Sequence, residues 1–159
     1  MEGPKPKEPW DPFSFFIGRW EGSGAGESGQ SKVEREYQFV LGGKYLRERN
    51  KSSYAPQERN PKGEQHEDWG FVSYDSNRKQ FVFRQFHSEG FVNQYVMEGT
   101  DGKSFTFVSE GIENISAGWR ARTRYQVLGA DEFRETFELA PPGKEFQLYV
   151  ENRLKRVKW

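Results

Sequence analysis

From residue 19 almost to the C-terminus, apolar and polar residues alternate with a period of two. Alternation of this kind puts one set of side chains on one face of a β-strand and the other set on the opposite face. Turn-forming residues interrupt it about every 8–12 positions, the spacing of an all-β barrel or sandwich. The pattern predicts about ten strands, at residues 19–26, 32–40, 44–53, 66–74, 81–87, 91–98, 104–110, 119–128, 132–139 and 146–155. The cleanest split lies in 119–128. Trp119, Ala121, Thr123, Tyr125 and Val127 share one face there, and Arg120, Arg122, Arg124 and Gln126 share the other. In the last strand Phe146, Leu148, Val150 and Leu154 are expected to point inward.

Only one helical signal stands out. Asp11-Pro12 offers a cap and a proline suited to a first helical turn, Phe13 to Ile17 supply an apolar face, and Gly18 ends it. This predicts a short helix or 3₁₀ turn that lids one end of the fold. Links between successive strands are short, which favours an up-and-down meander, and closure removes the exposed edges of an open sheet. The expected fold is an all-β, up-and-down antiparallel barrel of about ten strands. It occupies residues 13–159, preceded by a mobile tail at 1–12.

Composition sharpens this picture. The chain of 159 residues is only 33% hydrophobic but 16% aromatic, so large rings must fill much of the core. Lys and Arg balance Asp and Glu at 24 each, without the basic excess of a nucleic-acid binder. There is no cysteine, which removes disulfides and thiolate chemistry and leans to a cytoplasmic setting. No apolar run is long enough to cross a membrane as a helix. Neither nucleic acid nor a membrane is therefore an expected partner; a small hydrophobic or amphipathic ligand in the lumen of the barrel is, for a monomer or homodimer.

One hairpin carries candidate binding chemistry. If residues 81–87 and 91–98 pair around Ser88-Glu89-Gly90, then His87 faces Phe91, Gln85 faces Asn93, Phe83 faces Tyr95 and Phe81 faces Met97. Facing residues of an antiparallel pair share a face. The opposite face, with Val82, Phe86, Val92 and Val96, is also partly apolar, so the pattern leaves open which face lines the lumen. Polar groups among aromatic rings are the usual make-up of a small-molecule site. Phe83, Gln85, His87, Asn93, Tyr95, Tyr125 and Glu135 are the cavity candidates. Glu135 alternates with the inward Phe133 and Phe137, so it needs a buried partner such as Arg or Tyr. Glu34, Glu36, Glu67 and Asp68 read as solvated acids. No catalytic constellation and no metal site is recognised, no cofactor is assigned, and the chain is expected not to be an enzyme.

The segments Gly18-Arg19-Trp20-Glu21-Gly22, Val40-Leu41-Gly42-Gly43-Lys44-Tyr45, Gly70-Phe71-Val72-Ser73-Tyr74-Asp75 and Asn152-Arg153-Leu154-Lys155-Arg156 follow one another in a characteristic order. Together they resemble a bacterial lipocalin-like, calycin-type β-barrel family of unknown function. More distantly they are similar to fatty-acid-binding proteins and the haem-binding nitrobindins. The resemblance implies a barrel with a cavity, plugged at one end by Trp20 with a basic residue, here Arg156, packed over its ring. It brings no catalytic residues. A nitrobindin-like protein presents a His to iron from a strand near its C-terminus. Here the segment from Glu145 to Asn152 has no His, and Tyr149 is assigned outward, so tight haem binding is not expected. Haem, or an enzyme using the same cavity, is the alternative.

Overall fold

The computed structural model describes residues 9–158. Ten strands follow an N-terminal 3₁₀ helix at Asp11–Phe16: β1 (Gly18–Gly26), β2 (Gly29–Val40), β3 (Tyr45–Tyr54), β4 (Glu64–Asp75), β5 (Gln80–His87), β6 (Val92–Thr100), β7 (Ser104–Glu113), β8 (Arg120–Gly129), β9 (Glu132–Ala140) and β10 (Gln147–Val157). Each pairs antiparallel with the next, and β1 pairs with β10, so the sheet closes. This is the all-β, up-and-down barrel of ten strands that the alternation predicts.

The 3₁₀ helix plugs one end. Phe13 and Phe16 are buried, and Phe16 packs against Tyr37, Phe105, Tyr125 and Phe133. Trp20 is 1% exposed, meets Phe133 edge-on at 4.6 Å, and donates its indole N–H to the Phe16 carbonyl at 2.8 Å. The Arg156 guanidinium lies 4.3 Å from the Trp20 ring centre and donates to the carbonyls of Phe15 and Ile17. One cation thus covers the plug tryptophan and satisfies the end of the helix. Trp10, expected in a tail over residues 1–12, is instead buried against Phe13, Phe39 and Phe81. Its ring belongs to the plug, packed between the helix residue Phe13 and the strand residues Phe39 and Phe81. Residues 1–8 lie outside the described residues.

Gly22, Gly24 and Gly26 of β1 let the barrel close tightly against β10. A Cβ at Gly22 would run into the Arg153 carbonyl of β10, and one at Gly24 into the Asn152 side chain. The expected register of the β5–β6 hairpin holds, with Phe83 opposite Tyr95 and Gln85 opposite Asn93. The last strand departs from expectation. A bulge between Leu148 and Val150 shifts its register against β9. Leu148 is 51% exposed, and Phe146 lies under Arg120 and Arg122, residues of the outer face. Simple alternation cannot survive an inserted residue, since a bulge reverses strand parity.

The plug makes a specific energetic claim. Trp20→Ala should destabilise the fold by about 3–5 kcal/mol, the usual cost of emptying a core aromatic site. Arg156→Ala should cost less. In a double-mutant cycle read by urea denaturation the two losses should be sub-additive, and strict additivity would show that the side chains are energetically independent.

Candidate functional site

Beyond the plug the barrel opens into a cavity of about 380 Å³. Its lining has two characters. Phe91, Ile112, Trp119, Phe137, Leu139 and Val150 form an apolar wall, while residues of β2–β5 supply most of the polar wall. The division follows from which inward positions carry charge. β2 places Arg35 in phase with Val33, Tyr37 and Phe39, and β4 places His66 and Asp68 in phase with Val72.

The polar wall is one connected network. Arg35 donates two hydrogen bonds to Glu135, at 2.8 and 2.9 Å, and a third to Asn50 Oδ1 at 2.8 Å. It also donates to the Tyr37 hydroxyl at 3.3 Å. Asn152 of β10 donates to Glu135 at 2.8 Å. Asn50 passes the network to Asp68 at 3.0 Å, and Gln85 donates to the other Asp68 oxygen at 2.9 Å. Nε2 of His66 meets Asp68 at 3.0 Å, and its Nδ1 meets Glu89 at 2.7 Å. The chain of contacts runs from the barrel floor to the rim.

The electrostatics follow from burial and partners. Burial opposes the charge on Arg35, but Glu135, Tyr37 and Glu48 outweigh it and hold the guanidinium firmly protonated. Burial, reinforced by Asp68, raises Glu48 well above the usual carboxylate range. Burial works against the Asp68 charge too, but hydrogen bonds led by His66 outweigh it and hold Asp68 far below that range. His66 is lifted to about 9, its hydrogen bonds to Asp68 and Glu89 overcoming the opposing effect of burial. His87 is lowered, chiefly by burial.

The sequence candidates separate into two groups. Gln85, His87, Asn93 and Glu135 line the large cavity. Phe83 and Tyr125 lie nearer the plug, around a void of about 20 Å³. That is room for a water molecule and little more. Tyr95 is wholly buried, with its hydroxyl accepting from Asn93 at 3.0 Å. The partner that Glu135 requires is Arg35, which the sequence reading did not single out although its strand parity points inward. Asp68, read as a solvated acid, is 4% exposed and central to the network. Tyr149, assigned outward, lines the cavity, because the β10 bulge turns Tyr149 and Val150 toward the lumen together.

The comparisons with known proteins bear on this geometry. Residues 10–156 match the model of the THAP4-like, heme-binding beta-barrel domain. This chain belongs to that family. The bacterial lipocalin-like family suggested by the motif order is not the one matched, although the calycin-type barrel is the right fold. Among curated proteins none matches the chain significantly. The crystal structure of Rv2717c from M. tuberculosis superimposes with a TM-score of 0.72, covering 96% of this chain and 99% of that one at 16% identity. At that identity the likeness shows a shared fold. A de novo designed fluorescence-activating β-barrel aligns over 91% of this chain and 95% of its own, at 12% identity and a TM-score of 0.44, too low to carry an argument.

The family description raises haem, and the residues of this cavity fit it poorly. β10 offers Tyr149 and no His. Both nitrogens of His66 are engaged by carboxylates, which leaves His87 as the one imidazole with uncommitted nitrogens. Arg35 is the sole Lys or Arg among the described lining residues, and it is committed to Glu135, so the described lining offers porphyrin carboxylates no free cation.

The network predicts strong coupling across the lumen. Glu135→Leu alone should destabilise by about 3–5 kcal/mol, because it strands a buried guanidinium. Adding Arg35→Met should recover most of that loss in chemical denaturation. A double variant as unstable as the sum of the singles would show that the two side chains do not act as a pair.

Proposed function

We propose that this protein binds a small amphipathic molecule in the open half of the barrel and is not itself a catalyst. The observation that supports the reading most directly is the two-sided cavity: an apolar wall of Phe91, Ile112, Trp119, Phe137 and Leu139 stands across the lumen from the polar residues of β3 and β4, Asn50, Ser52 and His66. Membership of a ligand-binding barrel family supports it as well. An apolar body lies against the first wall and a polar end against the second, the usual division in small-ligand sites. The polar end is uncharged or donor-bearing rather than anionic. Arg35, the one guanidinium among the described lining residues, already directs four of its five N–H donors to Glu135, Asn50 and Tyr37, and Glu64 and Glu89 add acidity at the rim. Haem is the second reading. The family description favours it, and His87 is its available imidazole.

An environment-sensitive apolar dye should bind with 1:1 stoichiometry and be displaced by a medium-chain alcohol more readily than by the carboxylate of equal length. Asn93→Trp inside the cavity and Ile115→Trp at its mouth should each abolish dye binding while the far-ultraviolet circular dichroism is unchanged. Retention of dye by both folded variants would remove the cavity as the binding site.

Titration with haem should give no sharp Soret shift at one equivalent. A stoichiometric shift lost in His87→Ala would instead establish the second reading.

A further inference from the structure

We propose that His66, His87 and Glu89 form a binding site for one divalent first-row transition-metal ion, such as Zn(II), at the mouth of the cavity. Their ligand atoms all lie within 4.8 Å of one another. Two imidazoles and one carboxylate are a donor set that such ions favour. Bound at about 2.1 Å in a tetrahedral arrangement, neighbouring donors would stand roughly 3.4 Å apart. The widest present separation must therefore close by about 1–1.5 Å, and the 2.7 Å contact between His66 Nδ1 and Glu89 must open by about 0.7 Å as the ion takes the place of that hydrogen bond, within reach of side-chain rotation by the exposed Glu89 and by His87.

The surroundings are arranged as an outer shell. Metal-bound histidines usually donate their second ring N–H to a carboxylate, which fixes tautomer and ring orientation. His66 has that partner in Asp68, 3.0 Å from Nε2, and Asp68 is itself buried and held by Asn50 and Gln85. Its Nδ1 then points to Glu89 and the ion position. His87 is brought alongside by strand pairing, since it sits opposite Asp68, and the two imidazole rings are 5.4 Å apart. Glu89 lies in a turn clamped to β4 by two bonds. The Ser88 N–H donates to the Glu67 carbonyl at 2.8 Å, and the Glu67 N–H donates to the Ser88 hydroxyl at 3.1 Å. Three protein ligands leave at least one coordination position, and all three residues line the cavity. The site stands independently of what fills the apolar half.

The test uses the full chain, freed of affinity tags and stripped with a chelator, and titrated with Zn(II) by calorimetry and with Co(II) by visible absorption. One equivalent should bind, and Co(II) should show ligand-field bands of low-symmetry coordination. His87→Ala and Glu89→Gln should each weaken binding about tenfold or more while melting as the parent does. Asp68→Asn should weaken it by about 10–100-fold, the usual cost of losing an outer-shell partner. Absence of saturable binding, or binding that both His87→Ala and Glu89→Gln leave intact, would overturn the proposal. Dye binding measured in chelator reports on the cavity reading separately.

Discussion

The ion pair between Arg35 and Glu135 divides the barrel. On one side of it lie the aromatic plug and the small apolar void, and on the other the open cavity. The pair joins β2 to β9 across the lumen, and those strands are not neighbours in the sheet. A buried charge is tolerable only when its hydrogen-bonding capacity is met. Asn50, Tyr37 and Asn152 meet it here, so the residues flanking the pair are constrained to be polar and correctly placed. Filling the lumen with apolar side chains, as at the plugged end, would leave these groups unpaired. The cavity and its polar wall are thus consequences of one charged crossing.

Much of the architecture was legible from the chain because alternation survives intact over most strands. Phe83, Gln85, Asn93 and Tyr95 pair as a hairpin read around Ser88-Glu89-Gly90. Trp20 and Arg156 meet because both sit at corresponding heights on strands that pair at closure. Parity also carried the position of Glu135. The same reasoning was available for Arg35, three strands away around the barrel, but an inward arginine has no apolar signature to draw attention to it.

What stayed hidden has two physical causes. The β10 bulge adds one residue, which no periodicity announces, and so Phe146, Leu148 and Tyr149 all changed sides relative to expectation. The polar wall was hidden for another reason. Asp68 and His66 look like ordinary surface residues until the pairing of β3, β4 and β5 sets them beside Asn50 and Gln85. A network is a property of several strands at once, and each strand alone shows only an isolated acid or imidazole in a chain that is 30% charged.

The seam between β1 and β10 has a consequence for how the protein folds. Arg156 hydrogen-bonds to Phe15 across 141 positions of sequence, and the helix that fills the plug draws its neighbours from β2, β5, β7 and β9. Such contacts form only after long loops have closed, and folding slows as contact order rises. The β5–β6 hairpin closes only a short loop, whereas the plug and the seam close almost the whole chain and carry the larger loop-closure cost. Until the seam closes the edges of β1 and β10 stand open, ready to pair with another chain. In the finished barrel no such edge remains, and the glycines that let β1 and β10 approach closely are what keep it covered.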